Sequence, residues 1–369
     1  MKKIFQIEPS IGIKEKQELL SVIESGWYTE AKKTRKFEKM FTEFIGIKYA
    51  CAVTSGTVAL YLGLKSLGIG YGDEVIVPDL TFVASPNAVE MTGAKPVLVD
   101  IEPIAMNLDF NKLMKLITKK TKAVMLVAHN GRSININKLS KFAKKNNLFL
   151  IEDAAHAIGS YYGKHHIGTQ SDVAAFSFSI PKIITTGQGG MVITNKKNIY
   201  KKLLTLKDFG RSFEDKQKMN KVFVHDTIGY NFKFTEFQAA MGVAQMNKLS
   251  SNIKKKKELY KFYKKHLSHI PEIEFVETNL KEQTIWFVDI LLKTEKLKLK
   301  LMKFLEQKNI QTRPFFPPLH TLPPYKMKDD LFKVSSSISK RGLFLPSSTT
   351  LTKSQLRYVC RKINEFFEQ

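Results

Sequence analysis

The sequence predicts an α/β protein built on a mostly parallel sheet with helices on both faces. Three observations carry this. Up to about residue 245, short apolar runs alternate with segments of helical periodicity. The runs are continuously apolar, whereas a strand with one wet face would alternate polar and apolar residues. The apolar fraction of 43% in 369 residues supplies enough material to cover such a sheet.

The predicted strands are Ala50 to Val53, Val75 to Val77, Val97 to Val99, Val124 to Val127, Leu148 to Ile151, Ala174 to Phe178 and Met191 to Thr194. After Met246 the texture changes. A lysine-rich helix (Ile253 to His266), one strand (Ile285 to Leu292), another helix and a proline-dense loop from Pro314 to Pro324 lead to a final helix. Thr352 and Gln355 form a capping box for that helix, and Leu356, Val359, Cys360, Ile363, Phe366 and Phe367 line one face. The length exceeds one ordinary core, so a larger domain over residues 1–245 and a smaller α+β domain over 246–369 are expected.

Composition bounds the setting. Cys51 and Cys360 lack metal-ligand or redox spacing, so neither a disulfide framework nor a metal site is expected. No apolar run reaches the roughly 18 to 20 residues that cross a bilayer, and Glu8 and Pro9 fall where a signal peptide needs its apolar stretch. A cytoplasmic protein without membrane insertion is expected. The formal charge of +25 attracts anions. It is nearly all lysine, in clusters such as Lys119 to Lys122, Lys254 to Lys257 and Lys293 to Lys300, with no arginine stripe interleaved with aromatics. Solvated helix faces are therefore favoured over nucleic-acid binding.

The chemistry-bearing residues are densest between 148 and 194, where LFLIEDAAHAIGS precedes AAFSFSIPKIITTGQGGMVIT. Asp153 ends an apolar strand, at the edge where open α/β sheets bind ligands. Lys182 follows the strand AAFSF and precedes a glycine-rich turn that lets backbone approach a ligand. A pyridoxal enzyme needs these two groups, an amine for the cofactor aldehyde and a carboxylate for the protonated pyridine nitrogen. Singly, a strand-end aspartate is more often a helix cap and a loop lysine is usually solvated. A third element is the turn at Ser55, Gly56 and Thr57, which opens a helix bearing Leu60, Leu64 and Leu67 and offers free backbone donors to a phosphate. Such turns also serve as plain caps. Ser177 is placed to add a hydroxyl.

SGTVAL, PDLTFVASPNAV, IEDAAHAIGSYYGK, FSFSIPKIITTGQGGM, IGYNFKFTEFQAAMGVAQM, TRPFFPPLH and SKRGLFLPSS follow one another along nearly the whole chain. In order and spacing they resemble the DegT/StrS family of nucleotide-sugar aminotransferases. The resemblance implies an aspartate-aminotransferase-like fold (fold type I) and pyridoxal 5′-phosphate as cofactor. It makes Lys182 the Schiff-base lysine, Asp153 the pyridine partner, and Ser177 with the backbone at Gly56 and Thr57 the phosphate cradle beside Ser55. Phe82 matches the ring that stacks on the cofactor. Asn231 matches a residue that reaches the phosphate from a neighbouring subunit, which implies a homodimer with shared sites. His156 stands where relatives carry Gln or Glu near the cofactor hydroxyl or substrate; a histidine there equally suits a satisfied position at a helix start. Arg313 and His320, and more weakly His225, match residues placed over the sugar and its diphosphate.

The chain also departs from the family pattern. His129, Asn130, Gly131 and Arg132 stand where relatives often read His-Leu-Tyr-Gly, which puts Asn130 near the substrate. Gln188 replaces a usual Glu, and Lys233 a usual Arg. The wording most resembles aminotransferases that act on GDP-4-keto-6-deoxymannose, with glutamate as amino donor. UDP- and dTDP-linked 4-keto or 3-keto sugars are the alternatives, and a regulatory or nucleic-acid-binding protein on the same fold is the alternative of another class.

Overall fold

A computed structural model describes residues 2–212 and 223–368. The seven predicted runs before residue 245 become the strands of one sheet. They are β1 (Tyr49–Val53), β2 (Glu74–Pro78), β3 (Lys95–Val99), β4 (Thr121–Val127), β5 (Phe149–Asp153) and, beyond a small hairpin of β6 (Tyr161–Tyr162) and β7 (His165–His166), β8 (Val173–Ser177) and β9 (Gly190–Thr194). The spatial order is β1-β9-β8-β5-β4-β2-β3, and β9 alone runs antiparallel to its neighbours.

Both faces are buried, which is why the strands read as continuous apolar runs. Ala123 and Met125 of β4 enter a core with Leu60 and Leu64 of the helix Gly56–Ser66. Val124 and Leu126, pointing the other way, enter a core with Ile136 and Leu139 of the helix Ile136–Lys145. Successive residues of one strand thus feed opposite layers.

A second, antiparallel sheet has the order β10-β11-β13-β12, from β10 (Ile273–Phe275), β11 (Asp289–Leu292), β12 (Arg313–Pro314) and β13 (Gly342–Phe344). Leu259 and Tyr263 of the helix Leu249–Leu267 and Val359 and Ile363 of the helix Lys353–Phe367 share its core. The capping box of Thr352 and Gln355 forms as expected. The strand expected from Ile285 begins only at Asp289, because the side chain of Asn130 captures the N–H groups of Trp286 and Phe287. The N-terminal segment also joins this part of the chain. Ile4 exchanges backbone hydrogen bonds with Asn309 and Gln311, and Gln6 accepts one from Ser347 N.

The lysine clusters lie mainly on solvated faces, with Lys119, Lys120, Lys254 and Lys255 exposed and Lys256 and Lys298 buried. Among the described residues no helix is long and apolar enough to cross a membrane.

Candidate active site

The parallel strands end at one edge of the large sheet, and the sequence-predicted residues gather there. β5 is the fourth of seven strands, so Asp153 at its end is covered from both sides. Its Oδ2 accepts a hydrogen bond from Ser85 Oγ at 2.7 Å and its Oδ1 accepts from Ala155 N at 3.1 Å. Burial pushes its carboxyl up, opposed by these bonds and by the Lys182 charge. A cationic partner would reverse that shift, as a protonated pyridine nitrogen does.

Lys182 lies in the segment between β8 and β9, in a turn closed by its own N–H to Ser179 O at 3.0 Å. Its amine donates no hydrogen bond to any described residue; it sits 4.2 Å from the centre of the Trp286 ring. Burial lowers the amine to about 7, against the pull of Asp153. An amine near neutrality is the form that attacks a carbonyl, and lysines with this shift cluster at active sites.

The turn after β1 keeps both of its sequence readings. Ser55 Oγ is the cap, accepting from Val58 N at 3.2 Å. The N–H groups of Gly56 and Thr57, in the first helical turn, have no intrahelical acceptor. A Cβ on Gly56 would stand 2.8 Å from Ser177 Cβ, so only glycine lets the helix start close on β8. Ser177 Oγ has two long bonds, donating to Ser179 Oγ at 3.3 Å and accepting from Ser179 N at 3.4 Å. Free donors and a hydroxyl at a helix start suit a phosphate.

His156 stacks on Trp286, with ring centres 3.8 Å apart and planes at 18°. Its Nδ1 is buried without a partner among the described residues, as are both ring nitrogens of His129, whose ring lies 6.0 Å away. Burial and the neighbouring Lys182 charge hold His156 well below its usual value, and burial takes His129 to about 4, so both are neutral. Orphaned buried nitrogens are rare and point to a bound ligand. Phe82, just after β2, is half exposed, 5.5 Å from the Phe316 ring.

The side chains of Asn130 and His320, expected near the substrate, are engaged within the chain. Asn130 is fully buried with positive φ, and its amide is consumed by backbone, Oδ1 accepting from Trp286 N and Phe287 N and Nδ2 donating to Phe287 O. Its neighbour Arg132 is likewise buried, bidentate to Asp289 at 2.6 and 2.8 Å. His320 is clamped between carboxylates, Nδ1 to Asp79 at 2.7 Å and Nε2 to Asp329 at 2.6 Å, and pins the proline-rich loop to the end of β2. Both nitrogens must donate there, so the ring is an imidazolium. Burial pulls its pKa down, but the bonds to Asp329 and Asp79 outweigh it and raise the value above 6.5. The stabilisation this gives is complete below the unfolded value of 6.5 and fades as pH rises through the folded one. The melting-temperature gap between wild type and His320→Gln should therefore be widest near pH 6 and narrow at higher pH. A pH-independent gap would refute the ion pair.

Arg313 and His225 are exposed, His225 Nδ1 donating to Phe209 O at 2.8 Å. Asn231 is exposed beside a backbone bridge to Asp208. Lys233 pairs with Asp208 at 3.2 Å, and Gln188 offers its carbonyl to Gln238. Sequence reasoning missed Ser85 and Trp286. Ser85 lies in the quoted segment PDLTFVASPNAV, but nothing local tells its hydroxyl from a helix-start serine; Trp286 reads as one more apolar residue in a strand.

The donor set fits pyridoxal phosphate: a buried carboxylate, a bare amine, a cradle of free N–H groups, an open aromatic ring and orphaned imidazoles. Comparison with known proteins agrees. A model of the DegT/DnrJ/EryC1/StrS aminotransferase family matches residues 9–364. The GDP-perosamine synthase of Escherichia coli O157:H7 is 39% identical over 368 residues, 100% of this chain and 99% of that protein. That of Vibrio cholerae is 39% identical over 365 residues, 98% of each. S. venezuelae DesV, solved in complex with a ketimine intermediate, is 30% identical with a TM-score of 0.89, across 96% of this chain and 94% of that one. The chain therefore belongs to the DegT/DnrJ/EryC1/StrS aminotransferase family, and its cofactor is pyridoxal 5′-phosphate.

Proposed function

We propose that the enzyme moves an amino group from glutamate to a nucleotide-linked 4-keto-6-deoxy sugar of the GDP-4-keto-6-deoxymannose type, for glycan or polysaccharide biosynthesis in the cytoplasm. The observation that carries the reaction class is the bare, desolvated amine of Lys182 within the field of Asp153. The sugar is supported by the two full-length relatives named GDP-perosamine synthase. When bound, pyridoxal phosphate would supply an aldehyde that takes up an amino group and a ring that serves as electron sink.

The residues divide the work. Asp153, oriented by Ser85, would hold the pyridine nitrogen protonated. Lys182 would carry the cofactor and, once its amine is free, is placed to move a proton at the substrate carbon. Gly56 and Thr57 N–H and Ser177 Oγ would hold the phosphate, Phe82 would face the ring, and neutral His156 would offer a nitrogen to the cofactor hydroxyl or the substrate. Exposed Arg313 and His225 are the candidates for the nucleotide diphosphate.

A homodimer with shared sites is part of this reading. Asn231 stays exposed, and large apolar side chains on the site's own loops, Phe82 and Ile180, stay half exposed. The chain divides near residue 245, with the segment around Ile4 to Gln6 lent to the smaller domain.

Incubation with glutamate and GDP-, UDP- or dTDP-linked 4-keto-6-deoxy sugars, followed by mass spectrometry, tests the substrate. The expected product is the GDP-sugar with its carbonyl oxygen exchanged for an amine. Amination of only the UDP or dTDP sugar would overturn the nucleotide assignment, and no product from any of them would overturn the sugar class.

A further inference from the structure

A lysine amine that must meet one carbon needs its loop fixed, yet the segment 178–187 has no helix or strand. Thr186 N and Thr185 Oγ1 close it on Phe178 O, Asn252 Nδ2 donates to Ile183 O at 3.1 Å, and the hold next to the amine comes from Trp286. The indole Nε1–H of Trp286 donates to Pro181 O at 2.7 Å, on the peptide that precedes Lys182. The same ring faces the Lys182 amine at 4.2 Å and stacks on His156 at 3.8 Å.

Trp286 is itself held on both sides of its backbone. Its N–H reaches Asn130 Oδ1 at 2.7 Å, and its C=O accepts from Lys256 Nζ at 2.6 Å. Lys256 is buried, has no carboxylate partner among the described residues, and donates its other bond to Ser347 O at 2.6 Å. Burying a lysine amine is costly, and burial lowers Lys256 to about 7; its two bonds to backbone carbonyls fix the chain at Trp286. Tryptophan alone among the aromatics combines a wide face with an N–H donor.

We propose that Trp286 is a positioning residue for amino transfer. Its indole fixes the Pro181–Lys182 peptide and the His156 ring, so that amine and imidazole keep one mutual placement, and Asn130 and Lys256 act through it. This rests on Lys182 being the cofactor-bearing lysine.

Trp286→Phe keeps a ring and loses the N–H. The variant holoenzyme is expected to retain the visible absorbance of bound cofactor while kcat falls roughly ten- to hundred-fold, the scale of a slightly misplaced reacting group. KM for the sugar nucleotide should change little. The pH midpoint of the visible band, and in cofactor-free protein the pH midpoint of Lys182 acylation read by mass spectrometry, should both move. Lys256→Met should move them in the same direction. Leu305→Ala, in the core of the second sheet and without a bond to Trp286 or Lys256, should lower the melting temperature and leave both midpoints in place. Trp286→Phe with wild-type kcat and midpoints would overturn the proposal, as would Leu305→Ala moving the midpoints equally. Wild-type midpoints in Lys256→Met would overturn the clamp. A Lys182→Ala protein that keeps the visible band would instead overturn the underlying lysine assignment.

Discussion

Lys182→Ala is expected to abolish turnover, by more than about 10⁴-fold, together with the visible absorbance of the bound cofactor. The amine is desolvated, donates no hydrogen bond to a described residue and is opposed to a buried carboxylate. Nothing nearby replaces it: His156 and His129 are neutral and less nucleophilic. The fold should survive, because the side chain donates no hydrogen bond to a described residue. In cofactor-free protein the variant should be as stable as wild type or more so. The amine falls from 10.5 to about 7 on folding, so it opposes folding below pH 10.5, and more strongly as pH drops toward 7. Thermal melts of the two cofactor-free proteins between pH 6 and 9 check the sign. A Lys182→Ala enzyme that stays yellow and active would sink the assignment.

Lys182 and Asp153 were legible because each stands where a strand pattern stops, and strand ends can be read from continuous apolar runs. The seven strands were legible for the same reason. Asn130 and His320 were not. A polar side chain that will satisfy backbone groups and one that will meet a ligand need the same donors and acceptors, so the residue type does not distinguish them. Asn130 spends its amide on Trp286 and Phe287, more than 150 residues away, and His320 spends its ring on Asp79, 241 residues back. The same non-local capture truncates the strand expected at Ile285 and joins Ile4 to Asn309. Such pairings leave no periodic trace in either partner. Trp286 was hidden for a further reason: its apolar face matches a strand pattern, and its one polar atom shows its use only once Pro181 lies beside it.

Arg132 and Asp289 set the second large expectation, since they join the loop after β4 to the second sheet. Both are buried, with two short bonds between them, and the guanidinium also reaches Glu277 O at 3.1 Å and Thr278 Oγ1 at 2.8 Å. Asp289→Ala leaves a buried guanidinium without its counter-charge and is expected to cost about 3–5 kcal/mol in denaturant unfolding. Arg132→Met combined with Asp289→Leu removes both charges and should recover most of that loss, because Thr278 Oγ1 keeps its bond to Val276 O and only Glu277 O loses a partner. The site should respond to the single change as well. Arg132 anchors the turn that carries His129 and Asn130, and Asn130 holds Trp286 over Lys182. Cofactor affinity should therefore fall in Asp289→Ala and return in the double variant. A loss below about 1 kcal/mol, the worth of an exposed pair, would mean that water reaches this junction and that the two parts of the chain meet less tightly than the burial of Arg132 implies.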